Sequence, residues 1–189
     1  MPTRPSRRVV LRVPTAADTA GFVAAAKASR RLHGAWVQAP SSPAEVRAYL
    51  KRYASPAGAP THVGLVAVDR KDGALIGVFN FSNIVRGWFR SAYLGYYAFA
   101  PFAGQGYMTE AFGLALDHAF GKLRLHRVEA NVQPGNRRSN ALVVRVGFTR
   151  EGYSRRYIRI AGRWRDHVRY AMLAEDWRAL ERARKARRA

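Results

Sequence analysis

The sequence contains no cysteine, and acidic residues are scarce. The first absence excludes disulfide bonds, thiolate metal ligands and any mechanism that passes an acyl group through a cysteine nucleophile. The second leaves 12 Asp and Glu against 33 Lys and Arg, so the formal net charge is +21 and the sequence pI about 11.5. A charge of this sign and size predicts attraction to polyanions such as rRNA, although it says nothing about fold.

Long hydrophobic runs are also missing. No stretch approaches the roughly 18 apolar residues that a membrane-spanning helix requires. The first residues, MPTRPSRRVVLRV, are basic but lack the apolar core of a secretion signal. We therefore expect a cytoplasmic protein with no membrane partner. A length of 189 residues with 48% hydrophobic residues predicts one domain with a substantial core.

Hydrophobic periodicity predicts the order strand, two helices, three strands, helix, strand, helix and two strands. The expected positions are 9–13, 15–29, 42–53, 61–69, 74–85, 91–100, 109–121, 127–132, 136–146 and two strands from 148 onward around a turn at 161–162. This order favours a single mixed, mostly antiparallel α/β sheet with helices on both faces. Arg and Lys crowd the last residues, so we predict a domain at 7–177 and a basic C-terminal tail at 178–189.

A glycine-rich segment, APFAGQGYMTEA at 100–111, lies between an apolar strand and an amphipathic helix. Glycines let backbone N–H groups approach a ligand closely, and a helix N-terminus adds unpaired donors and a positive dipole end. Thr109 is placed to cap the helix. The segment can therefore cradle a pyrophosphate, but a glycine loop before a helix is also common as a plain turn, and the loop alone leaves both interpretations open.

The strand, the GQGYMTEA turn and the helix together resemble the acetyl-CoA loop of the GCN5-related N-acetyltransferases (GNAT). In that family's pattern Gly106 takes the obligatory glycine, while Ala103 and Met108 depart from the first and last places. The segments IGVFNFSNIVRG, YLGY, NRRSN, GFTREGY and GRWRDH narrow the resemblance to the ribosomal-protein alanine acetyltransferases of the RimJ and RimL type, with RimJ nearest. The resemblance extends over nearly all of 9–177.

The resemblance implies the GNAT fold, with strands splayed at an acetyl-CoA cleft, and direct attack of an amine on the thioester in a ternary complex. It implies cofactor contacts at Phe99, Ala100, Gly104, Gln105, Gly106, Tyr107, Met108, Thr109 and Asn136. N–H groups near Phe99 and Ala100 would stabilise the oxyanion, and Ser139 would donate a hydrogen bond to the departing sulfur. Asn136 and Ser139 could instead simply cap the short helix.

By analogy with the family, Trp36, Asn83 and Tyr96 line the acceptor groove, although packing or loop structure explains each equally well. Asp166 either binds substrate or fixes its turn. The general base stays open, because Ile158 stands where some relatives carry a carboxylate. A weak base suffices for an α-amine, whose pKa near 7.7 to 8.0 makes deprotonation at pH 7 cost only about 1 to 1.4 kcal/mol. The histidines show no ligand spacing, so no metal is expected.

The function implied by the resemblance is acetyl-CoA-dependent acetylation of the N-terminal alanine of a ribosomal protein, with the fifth small-subunit protein as the expected acceptor. An acetyltransferase for small amines, antibiotics or aminoacyl-tRNA is an alternative on the same fold. A non-catalytic rRNA-binding ribosome assembly factor is an alternative of another class, because the basic surface and tails suit rRNA. The sequence shows no aromatic-rich RNA platform, and it does not indicate an oligomeric state.

Overall fold

The computed structural model describes residues 8–54 and 60–186, and these ranges contain seven strands and six α-helices. Most of the predicted segment between the second helix and the next strand, and the last three residues of the predicted tail, lie outside them. The strands are β1 (Val9–Arg12), β2 (Val63–Asp69), β3 (Leu75–Val85), β4 (Ser91–Ala98), β5 (Arg127–Val132), β6 (Thr149–Ile160) and β7 (Arg163–Leu173). The helices are α1 (Thr19–Ala28), α2 (Arg30–His33), α3 (Pro43–Tyr53), α4 (Tyr107–Asp117), α5 (Arg137–Val146) and α6 (Ala174–Ala186).

One seven-stranded sheet runs in the order β1-β2-β3-β4-β5-β7-β6. Every neighbouring pair is antiparallel except β4 and β5, which are parallel. The predicted mixed, mostly antiparallel sheet is therefore confirmed. It is the open sheet of an α/β domain, because helices lie against both of its faces.

The parallel pair separates along its length. Only Ser91–Tyr93 of β4 pair with Arg127–Glu129 of β5, while β4 runs on to Ala98 and β5 to Val132. Since both strands point the same way, the gap opens at their C-terminal ends, where the glycine-rich loop follows β4. We call this gap the cleft. The splayed strands expected from the resemblance are present.

Strand alternation divides the side chains of the sheet between its two faces. Helices α4 and α5 cover one face over a core that includes Phe79, Phe112 and Val128, and α1 and α3 cover the other over Phe22 and Val46. Among the described residues, the second cluster takes members from β2 and β3 but none from β5 to β7. The side chains of β5 that face this way are therefore left open to a partner or ligand.

Two helix starts show how local sequence sets element bounds. Ser42 caps α3 with a capping box to Glu45, and Pro43 takes the first helical position, as predicted. Helix α4 starts two residues earlier than predicted, because Gly106 in a left-handed conformation (φ +83°) precedes it. Thr109 therefore lies inside the first turn and is not its N-cap, which corrects that expectation.

The chain continues from β7 directly into α6, so the predicted domain boundary at 177/178 falls inside a helix. Trp177 is buried and its Nε1 donates to Asp117 Oδ1 at 2.8 Å. Arg184 donates to the carbonyl of Val146 at 3.1 Å, and Leu180 packs against the core. The described part of the basic segment is therefore docked on the domain through these three side chains.

Candidate active site

The glycine-rich loop has the backbone shape that a phosphate cradle needs. Gly104 and Gly106 have φ values of +81° and +83°, a region that side chains rarely adopt. Nothing lies within 4 Å of a Cβ placed on Gly104, so the loop is open on that side. The first N–H groups of α4 follow directly, and helix geometry leaves them without an intrahelical acceptor. Loop and helix together present backbone donors and a positive dipole end.

The side chains of this loop are used within the protein. Gln105 Nε2 donates to the carbonyl of Pro101 at 2.5 Å, and Met108 is buried, with its Sδ 2.6 Å from a Cβ placed on Gly77. Tyr107 packs edge-on against Phe102. Cofactor contacts predicted for Gln105, Tyr107 and Met108 can therefore come from backbone N–H groups more readily than from side chains.

Arg8 adds a positive charge to the loop. Its backbone N–H and its Nε each donate to the carboxylate of Glu110 at 3.1 Å, and its guanidinium lies 4.3 Å from the centre of the Tyr107 ring. A Cβ on Gly106 would lie 3.6 Å from Arg8 Nη2. No sequence pattern could reveal this contact, because Arg8 and Glu110 are 102 residues apart. This contact holds the Glu110 carboxylate at the start of α4.

The predicted oxyanion donors are already used. The N–H of Phe99 donates to Ile76 O at 2.8 Å, and the N–H of Ala100 donates to Ser29 Oγ at 3.0 Å. The Phe99 side chain is fully buried, 5.4 Å from the Phe22 ring. Because N–H groups alternate along a strand, the N–H of Ala98 points away from β3 and towards the cleft. The predicted donors at Phe99 and Ala100 thus have acceptors inside the protein, and Ala98 is the neighbouring residue whose N–H faces the cleft.

The segment 33–36 bridges the open end of the cleft. His33 Nε2 donates to the carbonyl of Ala98 at the end of β4, at 2.9 Å. Trp36 reaches the chain beyond β5, since a Cβ on Gly135 would lie 3.0 Å from its ring. Trp36 keeps 37% of its surface exposed. Trp36 was expected at the acceptor groove, and it lies at the mouth of the cleft. The contact of His33 with the end of β4 was not predicted.

Asn136 and Ser139 form the N-terminus of α5. Asn136 Oδ1 accepts the backbone N–H of Ser139 at 3.2 Å, so Asn136 does cap the helix. The Ser139 hydroxyl takes no part in that cap. It lies 2.5 Å from the hydroxyl of Tyr96.

Tyr96 is half-buried and packs among aromatic rings. Its ring lies 4.7 Å from Phe112 and 6.3 Å from Phe79, on the face that α4 covers. Burial raises the pKa of its hydroxyl well above the usual value, which outweighs the opposing effect of the hydrogen bond to Ser139. Tyr96 therefore stays protonated over the whole working range of pH. The structure makes it a partner of Ser139, in place of the acceptor contact that analogy predicted.

A polar group lies on the uncovered face of the cleft. The register places Glu129 of β5 beside Tyr93 of β4, at the point where the strands begin to separate. Beyond it, Asn131 pairs with Arg169 of β7. Within the described ranges, Asn131 Oδ1 and Arg169 Nε are buried without a hydrogen-bond partner. Unpaired buried polar atoms are costly, so this pair favours a bound ligand on this face.

Glu129 is the carboxylate that the cleft offers. Its Oε1 accepts from Arg127 Nε at 3.0 Å, and its side chain is 22% exposed. Sequence reasoning missed Glu129 because RVEANV predicts only a strand. The signal that could have found Glu129 is that it is the acidic side chain on the polar face of this strand.

The last two predicted acceptor residues lie elsewhere. Asn83 is exposed in a left-handed conformation (φ +50°) beside the β3–β4 hairpin, at the end of β4 opposite the glycine loop. Asp166 accepts from the Tyr153 hydroxyl at 2.5 Å and from the Arg156 N–H at 2.8 Å, and these bonds lower its pKa. Arg156 has φ +47°. Of the two roles considered for Asp166, its contacts are those of fixing the hairpin.

The described residues contain neither a cluster of metal ligands nor a membrane-spanning helix. No group of three or more His, Asp or Glu side chains in these ranges is arranged to hold a metal ion. None of the helices in the same part of the chain is both long enough and apolar enough to cross a bilayer.

Comparison with known proteins identifies the family. The acetyltransferase (GNAT) domain family matches residues 8–149. The chain belongs to the GNAT family. Its fold is similar to that of a Mycobacterium smegmatis RimJ solved in complex with CoA-disulfide. The two are 30% identical, with a TM-score of 0.81, over 89% of this chain and 83% of that one.

Curated N-acetyltransferases match about three fifths of the chain. An Escherichia coli [ribosomal protein uS5]-alanine N-acetyltransferase is 43% identical over 120 residues, which are 64% of this chain and 61% of that protein. A probable N-acetyltransferase YjcK of Bacillus subtilis is 39% identical over 115 residues, 61% of this chain and 62% of the other. The chain thus spans about three fifths of the length of these relatives.

The GNAT cleft fits acetyl-CoA on its own geometry. The left-handed glycines and the first turn of α4 suit a pyrophosphate, and the guanidinium of Arg8, paired with Glu110, lies beside Gly106. The separated strands leave the N–H of Ala98 facing the gap, where an extended pantetheine arm can pair with backbone. Acetyl-CoA, once bound, supplies a thioester whose acetyl group an amine can take.

Proposed function

We propose that the protein acetylates the N-terminal alanine of a ribosomal protein, with the fifth small-subunit protein, uS5, as the expected acceptor. The observation that carries this proposal is the cleft itself, which joins a pyrophosphate loop at one side to an uncovered polar face at the other. The 43% identity to a uS5-alanine acetyltransferase supports the acceptor. We place the reaction in the cytoplasm, where ribosomal proteins are made.

Each part of the cleft has a role in direct transfer. The loop and the start of α4 bind the pyrophosphate, and the N–H of Ala98 holds the thioester carbonyl as negative charge develops on it. Asn136 keeps its amide N–H groups for the pantetheine while its Oδ1 caps α5. Ser139, oriented by Tyr96, donates to the departing sulfur. Trp36 closes the mouth of the cleft beside the acceptor.

Glu129 is our candidate for the general base. It lies on the uncovered face where β4 and β5 begin to separate, so an ammonium group entering from that face meets its carboxylate. A carboxylate first attracts the cation and then receives its proton, directly or through one water. The lower cost of deprotonating an α-amine limits how much such a base can contribute.

Glu129→Gln should therefore lower kcat/KM for an alanine-starting peptide by only about 10-fold at pH 7, since amine deprotonation there costs about 1 to 1.4 kcal/mol. The deficit should shrink as the pH rises above the pKa of the amine, because the substrate then arrives neutral. The measurement is a pH–rate profile of both proteins. A matched control is Glu151→Gln, which removes the other carboxylate bound by Arg127. An equal, pH-independent loss in both variants would contradict the assignment.

The acceptor is tested with a peptide copied from the N-terminus of uS5, the same peptide with a blocked α-amine, and spermidine. Acetyl-CoA consumption and mass spectrometry should show one acetyl group on the free α-amine and none on the blocked peptide. A protein of charge +21 repels a polycation, so spermidine should react far more slowly. Preference for spermidine would overturn the proposal that the acceptor is the N-terminus of uS5. Failure to bind acetyl-CoA in calorimetry would overturn the proposed acetyltransferase activity and favour the non-catalytic rRNA-binding alternative.

A further inference from the structure

The turn between β3 and β4 exposes two large aromatic rings. Trp88 is 101% exposed and Phe89 is 73% exposed, and Val85 before them is 45% exposed. We call the segment 85–90 the aromatic tip. Large exposed rings side by side are unusual on a protein surface that has no partner. The aromatic tip directly precedes β4, whereas the glycine loop follows the other end of that strand. The tip is therefore separate from the candidate active site.

Four exposed cations surround the aromatic tip: Arg86, Arg90, Lys122 and Arg124. These cations lie on two segments, 85–90 and 121–126. Hydrogen bonds hold the segments together, since Arg86 Nη1 donates to Leu123 O at 2.9 Å and the N–H of His126 donates to Arg90 O at 2.6 Å. Neither 85–90 nor 121–126 contains an acidic residue. In the described ranges, none of these four cations forms an ion pair, and the neighbouring Glu175 pairs with His126.

Two of these cations occupy strained backbone positions. Arg90 has φ +42° and Arg124 has φ +53°, in the left-handed region that favours glycine or asparagine. Folding stability alone would favour glycine at both positions. Strain retained at an exposed arginine points to a use for its side chain.

We infer that the aromatic tip and its four cations bind single-stranded RNA, with bases stacked on Trp88 and Phe89 and phosphates on the arginines. Ring stacking combined with a basic surface is the general means of holding unpaired bases. Three of the four cations are arginines, whose planar fork matches phosphate oxygens and can stack on a base. RNA fits better than a membrane, because the apolar surface is limited to two rings and one valine flanked directly by arginine. The inference does not depend on the acceptor proposed above.

The test is fluorescence anisotropy of a short labelled single-stranded RNA with the full-length protein, over a range of salt. Trp88→Ala with Phe89→Ala should weaken binding by about 10-fold or more, since stacking on each ring is worth about 5- to 100-fold. Trp88→Phe should retain most of the affinity, because a ring remains. Arg90→Gly with Arg124→Gly should lower the salt slope by about 1 to 1.5 without lowering Tm, which separates RNA contact from a structural role.

Two control variants carry the same kinds of change elsewhere. Trp164→Ala removes another exposed tryptophan, 60% exposed, and Arg47→Ala removes an exposed arginine of α3. Both should leave RNA affinity within about twofold. All tip variants should keep acetyl transfer to a free peptide, so a failure here is distinct from a failure of the proposed function.

Three results would overturn the inference. The first is RNA binding by the tip variants as tight as that of the unaltered protein, and the second is a loss of binding in Trp164→Ala as large as in the tip variants. The third is no RNA binding by the unaltered protein, combined with binding to anionic phosphatidylserine vesicles or with a dimer that Trp88→Ala breaks in sedimentation, because Trp88 and Phe89 then serve another partner.

Discussion

Gly106→Asp is expected to abolish measurable acetyl-CoA binding, and acetyl transfer with it. The substitution places a carboxylate where the phosphates would approach the start of α4, beside the guanidinium of Arg8. Two like charges 4 Å apart cost about 4 kcal/mol at the effective dielectric of a protein surface, so affinity should fall by at least about 100-fold. Calorimetric titration with acetyl-CoA measures the loss directly.

Backbone strain must be separated from this electrostatic effect. Gly106 has φ +83°, so any side chain there also strains the chain by about 1 to 2 kcal/mol. Gly87→Asp is the matched control, because Gly87 also has a positive φ (+63°) and open space around it, at the opposite end of β4. Similar losses of Tm, with acetyl-CoA binding lost only in Gly106→Asp, would confirm the cradle. Normal binding by Gly106→Asp would place the pyrophosphate elsewhere.

The same pair of variants separates the two surfaces of the protein. Gly87 lies in the aromatic tip, so Gly87→Asp adds a negative charge among the four cations there. It should weaken RNA binding and leave acetyl-CoA binding intact, while Gly106→Asp should do the reverse. Loss of both activities in either variant would mean that the substitution disturbs the whole fold.

Much of the fold could be predicted because its signals are local. Alternation gave the strands, the Ser42 capping box gave the start of α3, and positive-φ glycines mark the loop. The parallel pairing of β4 with β5 and its early separation are contacts between distant segments, so they came only through the family resemblance. The extent of α6 was misjudged because its arginines suggest a solvated tail, whereas Trp177 anchors the helix on the domain.

The site was predicted unevenly for the same reason. The shape of the glycine loop and the position of Asn136 at a helix start could be expected because both depend on local backbone geometry. The internal acceptors of the Phe99 and Ala100 N–H groups could not be expected, since sequence does not reveal which N–H groups at the end of β4 face β3. His33 was missed because its contact with Ala98 spans 65 residues. The segment 86–90 was expected to connect two strands, but the sequence does not reveal that both of its rings stay exposed or that 121–126 lies beside them.

Ser139→Ala should lower kcat by about 100-fold, the lower part of the range for a positioned proton donor, with little change in KM for acetyl-CoA. The variant separates the two roles considered for Ser139. Asn136 caps α5 through the backbone N–H of Ser139, which alanine retains, so stability should hardly change. A kcat within about twofold of the unaltered protein would mean that the hydroxyl takes no part in the transfer.

Tyr96→Phe should produce a smaller loss of kcat, about 10-fold, because Tyr96 acts on the sulfur only through Ser139. The hydroxyl of Tyr96 stays protonated, so it can donate to Ser139 Oγ at 2.5 Å and leave the serine proton to point into the cleft. The double variant should then be no slower than Ser139→Ala alone, since both substitutions break one chain of hydrogen bonds. The control is Tyr49→Phe, which removes another buried tyrosine hydroxyl, bonded to Asn80 Oδ1 at 2.8 Å, and should leave kcat unchanged. Independent, multiplying losses would instead mean that Tyr96 and Ser139 act separately on the reacting groups and not through one chain of hydrogen bonds.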